Sequence, residues 1–259
     1  MLRLPVSGLQ VIIRQPTGAE DVFLQEMRGA NAAVALELIG RLVRTVDGAP
    51  VDWREISVSD LETLLLVLRQ ATVGDLISTE VRCPAVGCEA RVDVAFRIGE
   101  FLASRKANRP QRVKDLGDGK WFAVKDDGDG VEFRLPTGGD LLAIDGHPAP
   151  YRELGQRCIR PAGLTSASWR RAESAMEALA PRFSSILTGE CPECGIAFEC
   201  YFDALLFVLR ELRSHAAGVY QDVHLLALHY KWPEQEILAL PRNRRTAYVE
   251  MLGGGGMAA

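Results

Sequence analysis

The sequence has no long apolar run, no excess of basic residues and only four histidines among 259 residues. No stretch approaches the about 18 consecutive apolar residues that a membrane-spanning helix needs, and the N-terminus MLRLPVSGLQ lacks the apolar core of a secretory signal. A formal net charge of −4 and a pI near 5.7 give no general attraction for phosphate groups. These absences predict a cytoplasmic protein with no membrane segment, and they argue against a nucleic-acid partner.

Motifs for catalysis are scarce as well. His147 and His215 are isolated, and no Ser, Cys or Asp near them forms a nucleophile pattern. No Gly-Lys-Ser/Thr follows Gly138 and Gly139, so a phosphate-binding loop is not expected. The acidic run 126–130 lacks the downstream glutamate of an EF-hand, which favours a solvated turn. The sequence therefore predicts a protein that is not an enzyme.

Six cysteines are present, and four of them form two close pairs. In a reducing cytoplasm such pairs are more typical of metal ligands or redox dithiols than of disulfides. The pairs are Cys83/Cys88 and Cys191/Cys194, and in each a proline follows the first cysteine. Turns of this spacing point both sulfurs at one ion, as in zinc knuckles. Each pair offers two thiolates, whereas a closed structural zinc site needs four.

An internal duplication is the second pattern. The motif Arg-x-Pro-Thr-Gly begins at Arg14 and again at Arg134, after a strand pattern and before a helix pattern. Helical periodicity returns in residues 59–70 and 169–179, and a cysteine pair and an alternating strand follow in both copies. The shift between matching landmarks falls steadily from 120 to 106 residues, as expected if the second copy lost loop residues. A single α+β domain with two similar knuckles is the alternative.

The fold class predicted from these patterns is α+β. Two pseudo-repeated halves, each with a strand, helices and a cysteine-knuckle β-hairpin, are expected to join at a shared split zinc ribbon, followed by a helical C-terminal segment. The predicted units are the first repeat at 1–105, a linker with a hairpin at 106–130, the second repeat at 131–210, the helical C-terminal segment at 211–252 and a disordered tail at 253–259. The tail contains four consecutive glycines, which lose much backbone entropy on ordering.

Convergence of the two knuckles would complete one tetrahedral site. The predicted ligands of a structural Zn²⁺ ion are Cys83, Cys88, Cys191 and Cys194. A redox dithiol and a metal shared between two chains are the alternatives. In the duplicated register Cys158 falls opposite Leu42 and Cys200 opposite Val94, so both are interpreted as small apolar residues rather than ligands.

The C-terminal segment predicts three helices. One long helix is expected over 203–230, a second from Glu234 and a third from Arg242, with Pro233 and Pro241 well placed at the starts of the last two. The arginines that open the third helix are interpreted as a solvated or partner-facing cluster, with phosphate contact as the alternative.

Three stretches together resemble a known family: Leu4–Leu9 leading to the first Arg-x-Pro-Thr-Gly motif, the paired Cys-Pro knuckles, and the tail from Tyr230 to Tyr248. Across residues 4–252 the chain resembles baseplate hub assembly chaperones of T4-type phages, as encoded with phage-tail-like contractile injection systems. The resemblance implies a non-enzymatic factor that helps baseplate, hub or spike proteins assemble in the cytoplasm, and that either leaves or stays in the assembled particle. The tail residues predicted to bind the partner are Tyr230, Trp232, Pro233, Ile237, Leu240, Arg244, Arg245 and Tyr248.

A zinc-ribbon nucleic-acid-binding or regulatory protein is the alternative function, and a dithiol enzyme is a third. The charge near the knuckles argues against the first of these, because an acidic rim repels phosphate. The acidic residues of this rim are Glu80, Glu89, Asp93, Glu190, Glu193 and Glu199.

Overall fold

A computed structural model describes residues 1–107, 112–117, 120–124 and 130–254 as a mixed α+β structure. The strands are β1 (Leu2–Arg3), β2 (Gln10–Ile13), β3 (Val43–Thr45), β4 (Leu76–Arg82), β5 (Arg91–Arg97), β6 (Val113–Asp115), β7 (Trp121–Val124), β8 (Glu132–Arg134), β9 (Ile159–Arg160), β10 (Ser185–Glu190) and β11 (Ala197–Phe202). The helices are α1 (Gly18–Glu26), α2 (Ala32–Leu42), α3 (Val58–Thr72), α4 (Ile98–Ser104), α5 (Gly138–Ile144), α6 (Pro150–Cys158), α7 (Ser166–Leu179), α8 (Ala204–His215), α9 (Val219–Tyr230), α10 (Glu234–Leu238) and α11 (Arg242–Gly254).

The main hydrophobic core is built around α3. This helix carries leucines on nearly every side, so it must be enclosed, and Leu61, Leu64 and Leu65 are fully buried. The antiparallel sheet β1-β2-β3 and helices α1 and α2 supply apolar residues to the same core. Helix α8 lies against α3 as well, and its Glu211 accepts a 2.7 Å hydrogen bond from Arg69. A helix from the predicted second repeat therefore completes the core of the first.

A second, smaller core lies beneath the sheet β6-β7-β8-β9. The predicted hairpin between the halves is present as β6 and β7, and it is built into this sheet because β7 also pairs with β8. The buried residues of this second core are Val113, Val131, Phe133, Ile159, Ala172 and Ala175. The hairpin is therefore part of the second half's sheet, beyond the linker role expected for it.

Both Arg-x-Pro-Thr-Gly motifs fold into the same turn. Each threonine forms a capping box with the acidic residue three positions later, which closes the first turn of α1 and of α5. Arg14 donates to Glu20 at 2.6 Å, and Arg134 donates to Asp140 at 2.5 Å. Burial by itself raises the pKa of Asp140, but hydrogen bonds, first from Arg134 and then from the backbone of Thr137, outweigh it and lower the pKa. A capping box and an Arg–carboxylate salt bridge therefore stabilise each turn.

Each turn docks on the start of a distant helix. The N–H of Gly138 donates to the carbonyl of Ile56, just before α3, at 3.0 Å. The N–H of Gly18 donates to the carbonyl of Leu240, just before α11, at 3.1 Å. A Cβ on Gly18 would lie 2.9 Å from the Cα of Leu238, so only glycine permits this approach. The second turn therefore ties the second half to the first, and the first turn holds the C-terminal segment.

The predicted long helix over 203–230 is wrong, because the chain forms α8 and α9 with a tight turn between them. The N–H of Val219 bonds the carbonyl of Ala216 at this turn, and Gly218 precedes α9. Helix α11 continues through Gly254, so the first two residues of the predicted disordered tail are helical, while 255–259 lie outside the described residues. No helix in the described part of the chain has the length and apolar character needed to cross a bilayer.

Candidate metal centre

The two cysteine pairs sit at the tips of matching β-hairpins. Strands β4 and β5 form the first hairpin, and β10 and β11 form the second. At each tip the N–H of the first cysteine closes the hairpin, from Cys83 to the carbonyl of Ala90 and from Cys191 to that of Ile196, both at 2.9 Å. Gly195 has a φ of +70°, the left-handed conformation that lets the chain turn back directly after Cys194.

The hairpins bring the four predicted ligand cysteines together. All four Sγ atoms lie within 4.8 Å of one another. Across the two hairpins, Cys83 Sγ lies 3.6 Å from Cys194 Sγ, and Cys88 Sγ lies 3.9 Å from Cys191 Sγ. A tetrahedron with Zn–S bonds of about 2.3 Å has S···S edges of about 3.8 Å. A disulfide would need about 2.05 Å, and all the cysteines are free.

The cluster is buried on one side and open on the other. Cys191 and Cys83 are buried, Cys88 is half-buried and Cys194 is exposed. Val92 and Phe198 complete a small apolar cluster beneath the sulfurs. This packing excludes water from the inner half of the site, which strengthens electrostatic interactions there.

The environment of the sulfurs shifts the pKa values of Cys191 and Cys83 in opposite directions. The pKa of Cys191 is lowered to about 7, first because the backbone of Cys194 hydrogen-bonds to its sulfur. The backbone of Ala85 also lowers the pKa of Cys83, but burial and hydrogen bonds with the other thiols outweigh it and raise that pKa to about 12. Thiols this close oppose one another's ionisation, so a bound cation is the natural means of stabilising several thiolates together.

The donor set fits a metal ion. Four sulfur ligands suit soft or borderline ions, Zn²⁺ among them, and a four-sulfur sphere leaves no open position for water or substrate. The cluster can therefore hold a metal ion, and its geometry is compatible with a structural zinc site without selecting zinc over other thiophilic metals.

The other two cysteines lie outside this cluster. Cys158 is fully buried at the end of α6, and burial is the first cause that raises its pKa to about 12. Cys200 is half-buried in β11, where it pairs with Leu187 of β10. Neither can ligate an ion held by the four clustered sulfurs.

The rim of the site is less acidic than the sequence flanks suggest. Glu80 forms a 3.0 Å salt bridge with Arg91 on the neighbouring strand. Arg82 pairs in register with Arg91, so basic side chains alternate with the acidic ones on this hairpin. Cross-strand pairing supplies this partial neutralisation, which a count of flanking acidic residues misses.

The tail residues predicted to bind a partner divide into two groups. Tyr230, Trp232 and Tyr248 form one aromatic cluster, with ring centroids 5.0 to 6.1 Å apart. Arg244 lies over the Tyr248 ring and is exposed. Pro233 is exposed as well. These side chains form an aromatic cluster with Arg244 against its Tyr248 ring.

Ile237, Leu240 and Arg245 instead hold the segment to the body. Ile237 is fully buried, and the backbone carbonyl of Leu240 binds the first turn motif. Arg245 is 1% exposed and donates to Asp21 at 2.5 Å and to Asp222 at 2.9 Å. A partner-facing role for Ile237 or Arg245 is therefore corrected to an internal one. Sequence reasoning missed Asp21, because its partner lies 224 residues away.

Comparisons with known proteins identify no relative. No family model, no curated protein and no solved structure matches the chain. What bears on function is therefore the chemistry of the thiol cluster, the surfaces of the fold and the motifs of the sequence.

Proposed function

We propose that one structural Zn²⁺ ion joins the two knuckles as a split zinc ribbon and that the protein is a non-enzymatic assembly factor. The observation that supports the metal assignment is that four sulfurs, two from each hairpin, lie within 4.8 Å of one another, with the two distances across the hairpins at 3.6 and 3.9 Å, close to the edge of about 3.8 Å of a zinc tetrahedron. Residues that ligate a closed site in this way contribute folding free energy rather than catalysis.

The two halves are proposed to be copies of one ancestral unit. The hairpins support this, because Thr79 pairs with Val94 and Leu187 pairs with Cys200. These pairs differ by shifts of 108 and 106 residues, the shifts that separate the cysteines themselves. The two capping-box turns and their Arg–carboxylate pairs match in the same way. If the two halves are copies that meet through their matching hairpins, the metal would lie near a pseudo-two-fold axis.

The assembly role is a chaperone for the baseplate or hub-spike of a contractile phage tail or a phage-tail-like injection system. Three features support it: the motifs that resemble such chaperones, the absence of a catalytic pattern from the sequence, and the aromatic cluster in which Tyr230 is exposed and Trp232 and Tyr248 are half-buried. Aromatic side chains beside an arginine are enriched where proteins bind one another. The partners are baseplate, hub or spike proteins, met in the cytoplasm and either released or kept in the particle.

The test is affinity purification of the full-length tagged protein from cells that carry the surrounding gene cluster. Baseplate or hub proteins should co-purify at a fixed ratio, and Trp232→Ala should reduce their recovery. Tyr220→Ala is the matched control, because Tyr220 is an exposed tyrosine of α9 outside the aromatic cluster. Recovery of nucleic acid in place of tail proteins, or equal recovery with both variants, would reject the proposed role.

A further inference from the structure

A cleft of about 660 Å³ lies between the two halves, away from the cysteine cluster. One wall is formed by the starts of α2 and α3, from the first half. The other is formed by the turn between α5 and α6 and by the end of α7, from the second half. The start of α8 and the end of β11 also line the cleft. Its volume is in the range of ligand-binding sites, about 300–1,000 Å³.

The walls are largely apolar and the mouth is aromatic. Leu141, Leu154 and Met176 line one side and are only half-buried, so they retain surface for a ligand. Tyr151 is 82% exposed and Tyr201 is 60% exposed at the edges. Tyrosines left open beside an apolar recess are typical of protein-binding surfaces, since they give a large contact area at low entropic cost.

The cleft is strongly acidic. Its lining carboxylates are Glu62, Asp145, Glu173, Glu177 and Asp203. The basic residues of the lining are Arg182, which is already paired with Glu177, and His147. Among the described residues, no basic side chain forms a salt bridge with Glu62, Asp145 or Asp203. The recess therefore has a negative field that its own cations do not balance.

Glu62 is the deepest of these carboxylates, at 6% exposure. Ser184 donates its hydroxyl to Glu62 at 2.5 Å, and the N–H of Phe183 lies 3.4 Å from the other oxygen. Burial raises the pKa of Glu62, and the charge of Asp203 contributes in the same direction. Ser59, also on the wall, has a buried hydroxyl with no hydrogen-bond partner in the described part of the chain. Glu62 is thus held in place by hydrogen bonds at the cleft wall, whereas the Ser59 hydroxyl has no partner among the described residues.

We propose that this cleft is a docking site for a segment of a partner protein that carries a lysine or arginine next to a large apolar side chain. The apolar side chain fills the recess between Leu154 and Met176, and the basic group lies among the carboxylates. Phosphate-bearing partners are excluded by the charge of the lining, which would repel them. The inference does not depend on a role in tail assembly, because it rests on the cleft alone.

The experiment uses the purified, full-length protein and a phage-displayed library of random peptides. The best peptide is then synthesised together with a version in which every Lys or Arg is replaced by Glu, and affinities are measured by fluorescence anisotropy. The protein variants are Tyr151→Ala, the charge reversal Asp145→Lys/Glu173→Lys, and the control Tyr220→Ala on another surface. Circular dichroism and thermal melting confirm that each variant is folded.

Selected peptides should combine basic and large apolar residues, and their affinity should fall as ionic strength rises. Tyr151→Ala and the charge reversal should each weaken binding by about tenfold or more, whereas Tyr220→Ala should leave it unchanged. An acidic consensus, no enrichment, or equal binding by Tyr151→Ala and the control would overturn the proposal. None of these results would affect the co-purification test of the assembly role.

Discussion

Replacing Cys191 by serine should release the metal and loosen the two hairpins. Cys191 is the most buried of the four cysteines, at 1% exposure, and a serine hydroxyl is a poor ligand for zinc. The buried members of the apolar cluster beneath the sulfurs are Val92 and Phe198 besides two of the cysteines, and Val81, Ala85, Ala90 and Val94 pack against them partly buried. Full burial of Val92 and Phe198 contributes about 3–6 kcal/mol, against about 10–16 kcal/mol for structural zinc in isolated fingers. A bound zinc ion would therefore contribute more to this site than its two buried apolar side chains.

A decrease of about 3–5 kcal/mol in the free energy of unfolding should lower the Tm by roughly 6–20 °C, because the Tm of a chain of this size falls by about 2–4 °C per kcal/mol. Metal content is measured by elemental analysis after purification under reducing conditions, and Tm is measured with and without chelator. Cys200→Ser is the matched control, because Cys200 lies in the same hairpin but outside the cluster. Full metal content with a wild-type Tm in Cys191→Ser, or wild-type protein without metal, would refute the reasoning.

Three further perturbations probe the turns and the C-terminal segment. Asp21→Ala leaves the buried Arg245 cation with Asp222 but without its second carboxylate partner, and should destabilise the protein by about 3–5 kcal/mol in chemical denaturation. Gly18→Ala places a Cβ 2.9 Å from backbone of α10 and should destabilise it by about 1–3 kcal/mol, measured in the same way. Glu20 and Asp140 have lowered pKa values in the folded state, so their stabilisation is present above the unfolded pKa of about 4 and is lost as pH falls through the folded values.

Each of these perturbations has a control on the same chain. Glu250→Ala removes an exposed carboxylate from α11 and should leave stability unchanged. If Glu250→Ala lowered the free energy of unfolding as much as Asp21→Ala, the buried Asp21–Arg245 pair would not explain the loss. Gly218→Ala adds a Cβ with no atom closer than 3.9 Å and should be tolerated. The acid dependence should flatten in the double variant Glu20→Gln/Asp140→Asn, and an unchanged pH profile would show that other carboxylates cause it.

Local patterns predicted the features of this fold that depend on local rules. The helical periodicity of residues 59–70 and 169–179 falls inside α3 and α7, because apolar residues spaced three and four apart and a capping Ser or Thr specify these helices. The four clustered cysteines were identifiable because ligand spacing at a knuckle is a local constraint. The break between α8 and α9 was missed because Gly218 is its only marked residue, and a lone glycine is a weak signal.

Contacts between distant residues could not be predicted in this way. Arg245 reads as a surface residue in a polar helix, and only the fold places Asp21 beside it. The acidic cleft has the same origin, since Glu62 and Asp145 belong to different halves and appear as ordinary helix-flanking acids in the sequence. A single sequence shows residue types and periods, whereas these sites depend on which elements pack together.

The metal centre and the cleft are mechanically related through one hairpin. Strand β11 begins close after Cys194 of the cysteine cluster and ends in the lining of the cleft, where Tyr201 pairs with Ile186 of β10. The main core does not depend on this hairpin's tip, because α3, α8 and the first sheet enclose it. Docking of the second turn on Ile56 also holds the halves together without metal. Loss of the proposed ion would therefore loosen the tip of the β10–β11 hairpin while the main core, which includes Phe202 at the base of this hairpin, stays folded. The proposed ion would thus bear on the position of this hairpin more than on the existence of the fold.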